Sequence, residues 1–321
     1  MTTLSAQAAG RTAFSPRRLL SLPPSYLVLV ALLVIAGFAS STLLNPVFVS
    51  IILRQCAPLG VFVLGQALVM RAGSIDLSSS GVLAMTIYLV SAGVLPESQP
   101  WMFIAVPIAV GLGVGILNGL LVAKVRASAV IVTLALGTVL TGLVLMFSAG
   151  QPPGSVPDWL RLVNEDAVGP VSYSVIIWFL LSALVAIGLR TLVFGRFLAA
   201  VGNNPRAAST AGLPLPRVII TSHILAGLLA ASAALLQTGA MGVGSIKPGL
   251  DVVLNSIAAA ILGGITFGRG RGGVIGPLAA VIAFGYLFAI LTVFGVQEPG
   301  KLIVQGIVIA AAAISYGVRN K

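Results

Sequence analysis

Two polar stretches interrupt an otherwise apolar chain, and each pairs Gly-Ser-Ile with a following aspartate. They are Ala72-Gly73-Ser74-Ile75-Asp76-Leu77-Ser78-Ser79-Ser80-Gly81 and Gly242-Val243-Gly244-Ser245-Ile246-Lys247-Pro248-Gly249-Leu250-Asp251. A carboxylate among hydroxyls can cap a helix, with Ser78, Ser79 and Ser80 filling the first turn and the positive helix end favouring the charge. It can equally line a cavity where broken backbone enters a bundle. Asp76 is open to both roles. The chain has one histidine, His223, and one cysteine, Cys56. A catalytic or metal-bound histidine needs partners that are missing here, so His223 is expected to pack or to hydrogen-bond between helices. A lone cysteine gives neither an intramolecular disulfide nor a cysteine-based metal site. Gly111-Leu112-Gly113-Val114-Gly115 is not a phosphate loop, because it follows no soluble strand and lacks the Gly-Lys-Ser/Thr ending.

The elements that must position these residues are membrane helices. Hydrophobic residues make up 58% of the 321 and charged ones 8%, whereas soluble domains carry charge at about a quarter of positions. A span needs about 20 apolar residues. Cutting at charges, prolines and glycine turns predicts ten of them, at 26–44, 52–70, 79–95, 101–123, 129–149, 173–189, 218–240, 252–268, 274–294 and 302–317. The expected fold class is therefore an all-α polytopic membrane protein. Residues 1–25 form a cytoplasmic tail and 26–321 a single transmembrane domain, with a long inside loop at 190–217. Arg11, Arg17 and Arg18 precede an apolar stretch too long for a cleaved signal, so it is taken as the first helix.

The net charge of +11 raises the question of nucleic acid. The basic residues nevertheless sit between apolar runs and are not interleaved with aromatics, so that class is excluded. With the N-terminus inside, 14 of 18 basic residues face the cytoplasm: Arg11, Arg17, Arg18, Arg71, Lys124, Arg126, Arg190, Arg196, Arg206, Arg217, Arg269, Arg271, Arg319 and Lys321. Arg54, Arg161, Lys247 and Lys301 fall outside with six of the seven carboxylates, Glu97, Asp158, Glu165, Asp166, Asp251 and Glu298. The positive-inside rule thus selects ten spans with both termini cytoplasmic. Asp76 and Asp251 then lie on opposite sides, which rules out an acid–base pair and an intramembrane enzyme built on them.

Five spans separate the two polar stretches, as an inverted repeat of spans 2–5 and 7–10 would require, with a transport path near the interface of the two halves. A path for a neutral polyhydroxy solute needs weak hydrogen-bonding groups. The candidates are Gln66, Gly73, Ser74, Asp76, Ser78, Asn118, Thr133, Thr138, Thr141, Asn255 and Ser256. Intramembrane carboxylates and lysines, on which ion-driven carriers rely, are almost absent, so a secondary carrier is disfavoured and the energy source is expected in another chain. Gly111, Gly115 and Gly119 form one small-residue stripe for helix packing. In the inside loop, Gly202-Asn203-Asn204-Pro205-Arg206-Ala207-Ala208-Ser209-Thr210-Ala211-Gly212 reads as a short capped helix: Asn204 is the N-cap, Pro205 the first position, Gly212 the left-handed end and Pro214 the stop. Alone it is too short to be stable in water. It must dock on its own protein or serve as a lever for a partner.

Three ordered segments resemble the permease subunits of bacterial sugar ATP-binding-cassette importers of the ribose, xylose, arabinose and galactose type. They are Gly73-Ser74-Ile75-Asp76-Leu77-Ser78, Gly202-Asn203-Asn204 leading to Ala211-Gly212-Leu213, and the glycine-rich turn Leu262-Gly263-Gly264-Ile265-Thr266-Phe267-Gly268-Arg269-Gly270-Arg271-Gly272. Ser74, Ser79, Ser80 and Arg269 depart from the residues common in that family. The resemblance implies a permease dimer, homodimeric or paired with a paralogue, in a bacterial inner membrane and surrounded by lipid. It implies a cytoplasmic ATPase docking on Asn203, Asn204, Pro205, Arg206, Ala207, Ala208, Ala211 and Gly212, and a periplasmic solute-binding protein at the outer face. ATP and magnesium would belong to the ATPase, consistent with the lack of a Gly-x-x-x-x-Gly-Lys-Ser/Thr motif here. Nucleosides or branched-chain amino acids are the alternative cargo.

Overall fold

A computed structural model describes residues 23–319 except Asp166, Lys247 and Pro248. Arg11, Arg17, Arg18, Lys321 and nearly all of the predicted tail therefore lie outside the described residues, as do Asp166 and Lys247. The helices are α1 (Pro24–Ala39), α2 (Pro46–Arg71), α3 (Ser79–Ser91), α4 (Met102–Ala123), α5 (Ala129–Phe147), α6 (Asp158–Glu165), α7 (Tyr173–Thr191), α8 (Val193–Asn203), α9 (Pro205–Thr210), α10 (Leu215–Met241), α11 (Leu250–Leu262), α12 (Ile275–Val293) and α13 (Glu298–Arg319). A two-residue ladder, β1 (Ala167–Val168) with β2 (Val171–Ser172), closes a hairpin between α6 and α7 with Val168 opposite Val171.

Among the described residues, six helices, α2, α4, α5, α7, α10 and α12, are long and apolar enough to cross a membrane; α1, α3 and α11 are apolar but shorter. Each of the ten predicted segments falls on one helix, with shifted ends. The second helix starts at Pro46 and not at 52, because Asn45 Oδ1 accepts from Val47 N at 3.0 Å and Pro46 occupies the first position. The first helix stops at Ala39, where Ser40 is extended and Ser41–Leu44 form a 3-10 turn. The segment predicted to run to 268 ends at Leu262, because the chain turns back onto the start of α12: a Cβ on Gly263 would stand 2.5 Å from Pro277 Cα. Gly263, Gly264, Gly268, Gly270 and Gly272 therefore all lie in the loop between α11 and α12.

Packing centres on α2, in which every residue from Gly60 to Arg71 is buried. Trp178 of α7 is fully buried over Gly60, where a Cβ would lie 2.6 Å from the indole Cζ2. The predicted glycine stripe seats α4 on α10. Added Cβ atoms would stand 2.7 Å from Ala231 Cβ at Gly111, 2.9 Å from Ile224 Cα at Gly115 and 2.8 Å from Ile220 Cα at Gly119. Where the surroundings are as apolar as leucine, such close backbone approach takes over from hydrophobic burial as the source of helix association. The outer helices expose apolar side chains instead, among them Ile131 and Val139 of α5 and Leu180 and Leu184 of α7.

Candidate functional site

The backbone between α2 and α3 carries the main polar cluster. Asp76 is 2% exposed, and its Oδ1 accepts from Ser78 N at 2.8 Å and from Ser78 Oγ at 2.5 Å, while Oδ2 accepts from Ser79 Oγ at 3.0 Å. The N-cap of α3 is Ser78 and not Asp76. Asp76 acts two residues earlier, folding the turn by accepting from the backbone N–H of residue i+2, which an Asx turn does where a helix cannot yet begin. Asn118 Nδ2 of α4 donates to Ser78 Oγ at 2.7 Å, so the amide, the hydroxyl and the carboxyl form a directional chain. Thr133 Oγ1 of α5 donates to Ile75 O at 3.2 Å, shared with its own Ala129 carbonyl at 2.8 Å. Ser74 Oγ lies 2.9 Å from His223 Nε2 of α10. His223, expected to pack or to bond between helices, bonds from α10 to the α2–α3 turn.

Gln66, Ser74, Asp76, Ser78, Asn118 and Thr133 are all buried. Gln66 Nε2, Asn118 Oδ1 and His223 Nδ1 are among the buried polar atoms of the described residues that have no hydrogen-bond partner. They leave unused hydrogen-bonding capacity on α2, α4 and α10, the helices that flank the turn, of the kind a polar solute or water can exchange bonds with. The other path candidates lie elsewhere. Thr138 is exposed on α5 and its hydroxyl donates to Leu134 O, and Thr141 does the same to Gly137 O. Ser256 donates to Val253 O, and Asn255 Oδ1 accepts from Gln305 Nε2 of α13 at 2.5 Å. Gln305, 2% exposed, is absent from the sequence-derived candidates; a lone glutamine mid-span is the signal for it.

The glycine-rich turn and the α8–α9 segment meet the end of α2 beside this cluster. The predicted short helix is α9: Asn204 Oδ1 accepts from Ala207 N at 3.0 Å, Pro205 opens it, and Gly212 follows with φ of +77°. Its docking is slight. Ala208 is buried, while Asn203, Asn204, Pro205, Arg206, Ala207, Ala211 and Gly212 are exposed. The docked element is α8, which lies in the stretch predicted as an inside loop. It buries Gly195, Leu198, Val201 and Gly202, one face of an amphipathic helix.

At the other end of the bundle the second polar stretch pairs with residues 153–156. Gly244 N donates to Gly154 O at 2.9 Å and Val156 N to Gly242 O at 3.3 Å. Glu97, Phe103, Asp158 and Trp159 line a cleft of about 390 Å³ on this side. Asp251, in the first turn of α11, is exposed.

A helical membrane bundle whose helix breaks are buried, polar and hydrogen-bonded, and which presents one exposed capped helix, has the makings of a multi-pass permease. The chain belongs to the family described as branched-chain amino acid transport system / permease component, whose model matches residues 48–313. It is 31% identical over 299 residues to the ribose import permease protein RbsC of Bacillus subtilis (strain 168), covering 90% of each chain. Its identity to RbsC of Escherichia coli (strain K12) is 28% over 295 residues, covering 89% of this chain and 91% of that one. The xylose/arabinose import permease protein XylH of Sulfolobus acidocaldarius is 28% identical over 305 residues, covering 91% of this chain and 83% of the relative. No solved structure matches the chain.

Proposed function

We propose that this chain is the membrane-spanning subunit of an ATP-binding-cassette importer that moves a monosaccharide or similar small polyol across a bacterial inner membrane. The observation that carries the proposal is the match over nine-tenths of the chain to import permeases named for ribose and for xylose or arabinose. The geometry adds two supports. An exposed, self-capped α9 suits docking by a separate ATPase, which would use ATP and magnesium. Neutral hydroxyls and amides around the α2–α3 turn suit a solute that must be held weakly.

Ten spans with both termini cytoplasmic, a dimer of permeases, a periplasmic solute-binding protein at the outer face and an inverted repeat complete the proposal. The repeat has support from helix length. Helices α3 and α11, the third and eighth in the proposed order, are both 13 residues long, or about 20 Å against an apolar core of about 30 Å. Short helices at corresponding places in two halves point to the binding site. Gly249, just ahead of α11, packs on α3, where an added Cβ would stand 3.2 Å from Leu83 Cγ. Solute would pass beside α3, between the turn at its start and the segment that leads into α11.

The test is uptake of labelled ribose, xylose and arabinose into proteoliposomes holding this chain with the ATPase and binding protein from neighbouring genes. Strict dependence on ATP and on the binding protein is expected. Uptake by the chain alone under an ion gradient would overturn the proposal. The family description favours including leucine as a second cargo. Labelling of a cysteine at Arg206 only from the inside tests the orientation.

A further inference from the structure

The turn at Gly263–Gly272 has no role in the function above, yet its backbone is wedged between the ends of α2 and α8. Gly268 N donates to Met70 O at 3.1 Å, and Arg71 Nε donates to Gly270 O at 3.2 Å. Helix α8 closes on the same point. A Cβ on Gly202 would overlap the Arg71 carbonyl oxygen and stand 2.6 Å from Gly270 N; a Cβ on Gly270, whose φ is +62°, would stand 2.8 Å from the Ala199 carbonyl carbon. Only glycine permits main chains to meet this way. Beyond Arg71 the chain runs directly into Gly73, Ser74 and Asp76, so the contact sits at the root of the polar turn.

We infer that Gly202, Arg71 and Gly270 form a clamp that transmits movement of α8 and α9 to the helix breaks. Side-chain contacts absorb displacement by changing rotamer, whereas touching main chains, tied to the turn by one main-chain hydrogen bond and one from the Arg71 side chain, have far less freedom to do so. A push on α9 passes through α8 to the end of α2. From there Ser74 carries it to His223 on α10, and Ser78 carries it to Asn118 on α4. The three clamp residues are positioning residues and touch neither solute nor nucleotide. The inference rests on α9 being the ATPase dock, and explains how a partner outside the membrane reaches a turn within it.

The experiment uses the full complex in proteoliposomes and reads solute moved per ATP hydrolysed, alongside co-purification of the ATPase. In G202A the ATPase stays bound and hydrolysis continues, while solute per ATP falls about tenfold, within the usual range of coupling between distant sites. Arg71→Met, which removes the donor to Gly270 without bulk at the seat, shifts the ratio the same way, and Arg71→Lys, which keeps a donor, recovers most of it. G113A is the control, since a Cβ there meets nothing within 4 Å, and its ratio stays at the wild-type value. If G202A fails to fold, Arg71→Met decides. An unchanged ratio in assembled Arg71→Met complex overturns the clamp and leaves the docking role of α9 standing. Loss of the ATPase from a folded variant also overturns it, making α8 a docking platform. A wild-type complex without ATP-driven uptake overturns the parent proposal and the clamp with it.

Discussion

Replacing Asp76 by alanine removes an acceptor that holds three donors, Ser78 N, Ser78 Oγ and Ser79 Oγ, in a site where the carboxylate side chain is buried. Hydrogen bonds to charged groups contribute about 1.5 kcal/mol each at the low end, so the loss is about 4.5 kcal/mol, much of it from the Ser78 N–H, which cannot rotate toward another acceptor. Asp76→Asn keeps Oδ1 for both bonds to Ser78, and Ser79 Oγ can turn to accept from the new amide, so it costs at most about 1 kcal/mol. The assay is equilibrium unfolding in mixed micelles, followed by tryptophan fluorescence. If D76A loses less than D76N, or both match wild type, the turn does not depend on this carboxyl. Uptake measured on the same pair separates Asp76's two roles: a stable D76N that no longer transports means the charge itself meets the solute, and full transport means the residue only folds the turn.

Other outcomes are equally direct. Asn204→Ala deletes the bond to Ala207 N and costs about 1 kcal/mol of α9 stability; ATPase affinity, read by titration, falls about fivefold as α9 must be re-ordered on docking. Gly115→Leu drives a side chain into the α10 backbone, whereas Gly113→Leu points into open space, so size-exclusion profiles show aggregation of the first and a monodisperse second. Cys56 is 4% exposed, so the folded chain resists a thiol reagent that modifies it stoichiometrically after denaturation. Trp178→Ala opens a cavity over Gly60 at the heart of the bundle and costs about 3 kcal/mol, measured in the same micelle assay.

Hydropathy was enough to locate every apolar helix, because lipid admits no other backbone solution. The stripe of Gly111, Gly115 and Gly119 was readable as packing for the same reason, and Asn204, Pro205 and Gly212 announced α9 through local chemistry alone. What escaped depended on distant residues. Helix α8 looks like loop because Gly195 and Gly202 lower its propensity; both are there for close approach to other backbone. Arg71 reads as a boundary charge, and its burial becomes visible only once Gly270 is beside it. The path candidates were chosen by residue type, which cannot tell Thr133, bonded to the turn, from Thr138, bonded to its own helix at the surface.

The seating of α4 on α10 is largely backbone on backbone at its glycines, since Gly111 meets Gly227 and Gly115 meets the main chain of His223. A joint of that kind neither slides nor tilts without losing contact along its whole length. The two helices therefore behave as one stiff beam through the middle of the molecule, and whatever conformational cycle the protein undergoes has to bend at its glycine-bearing joints while this beam keeps its shape.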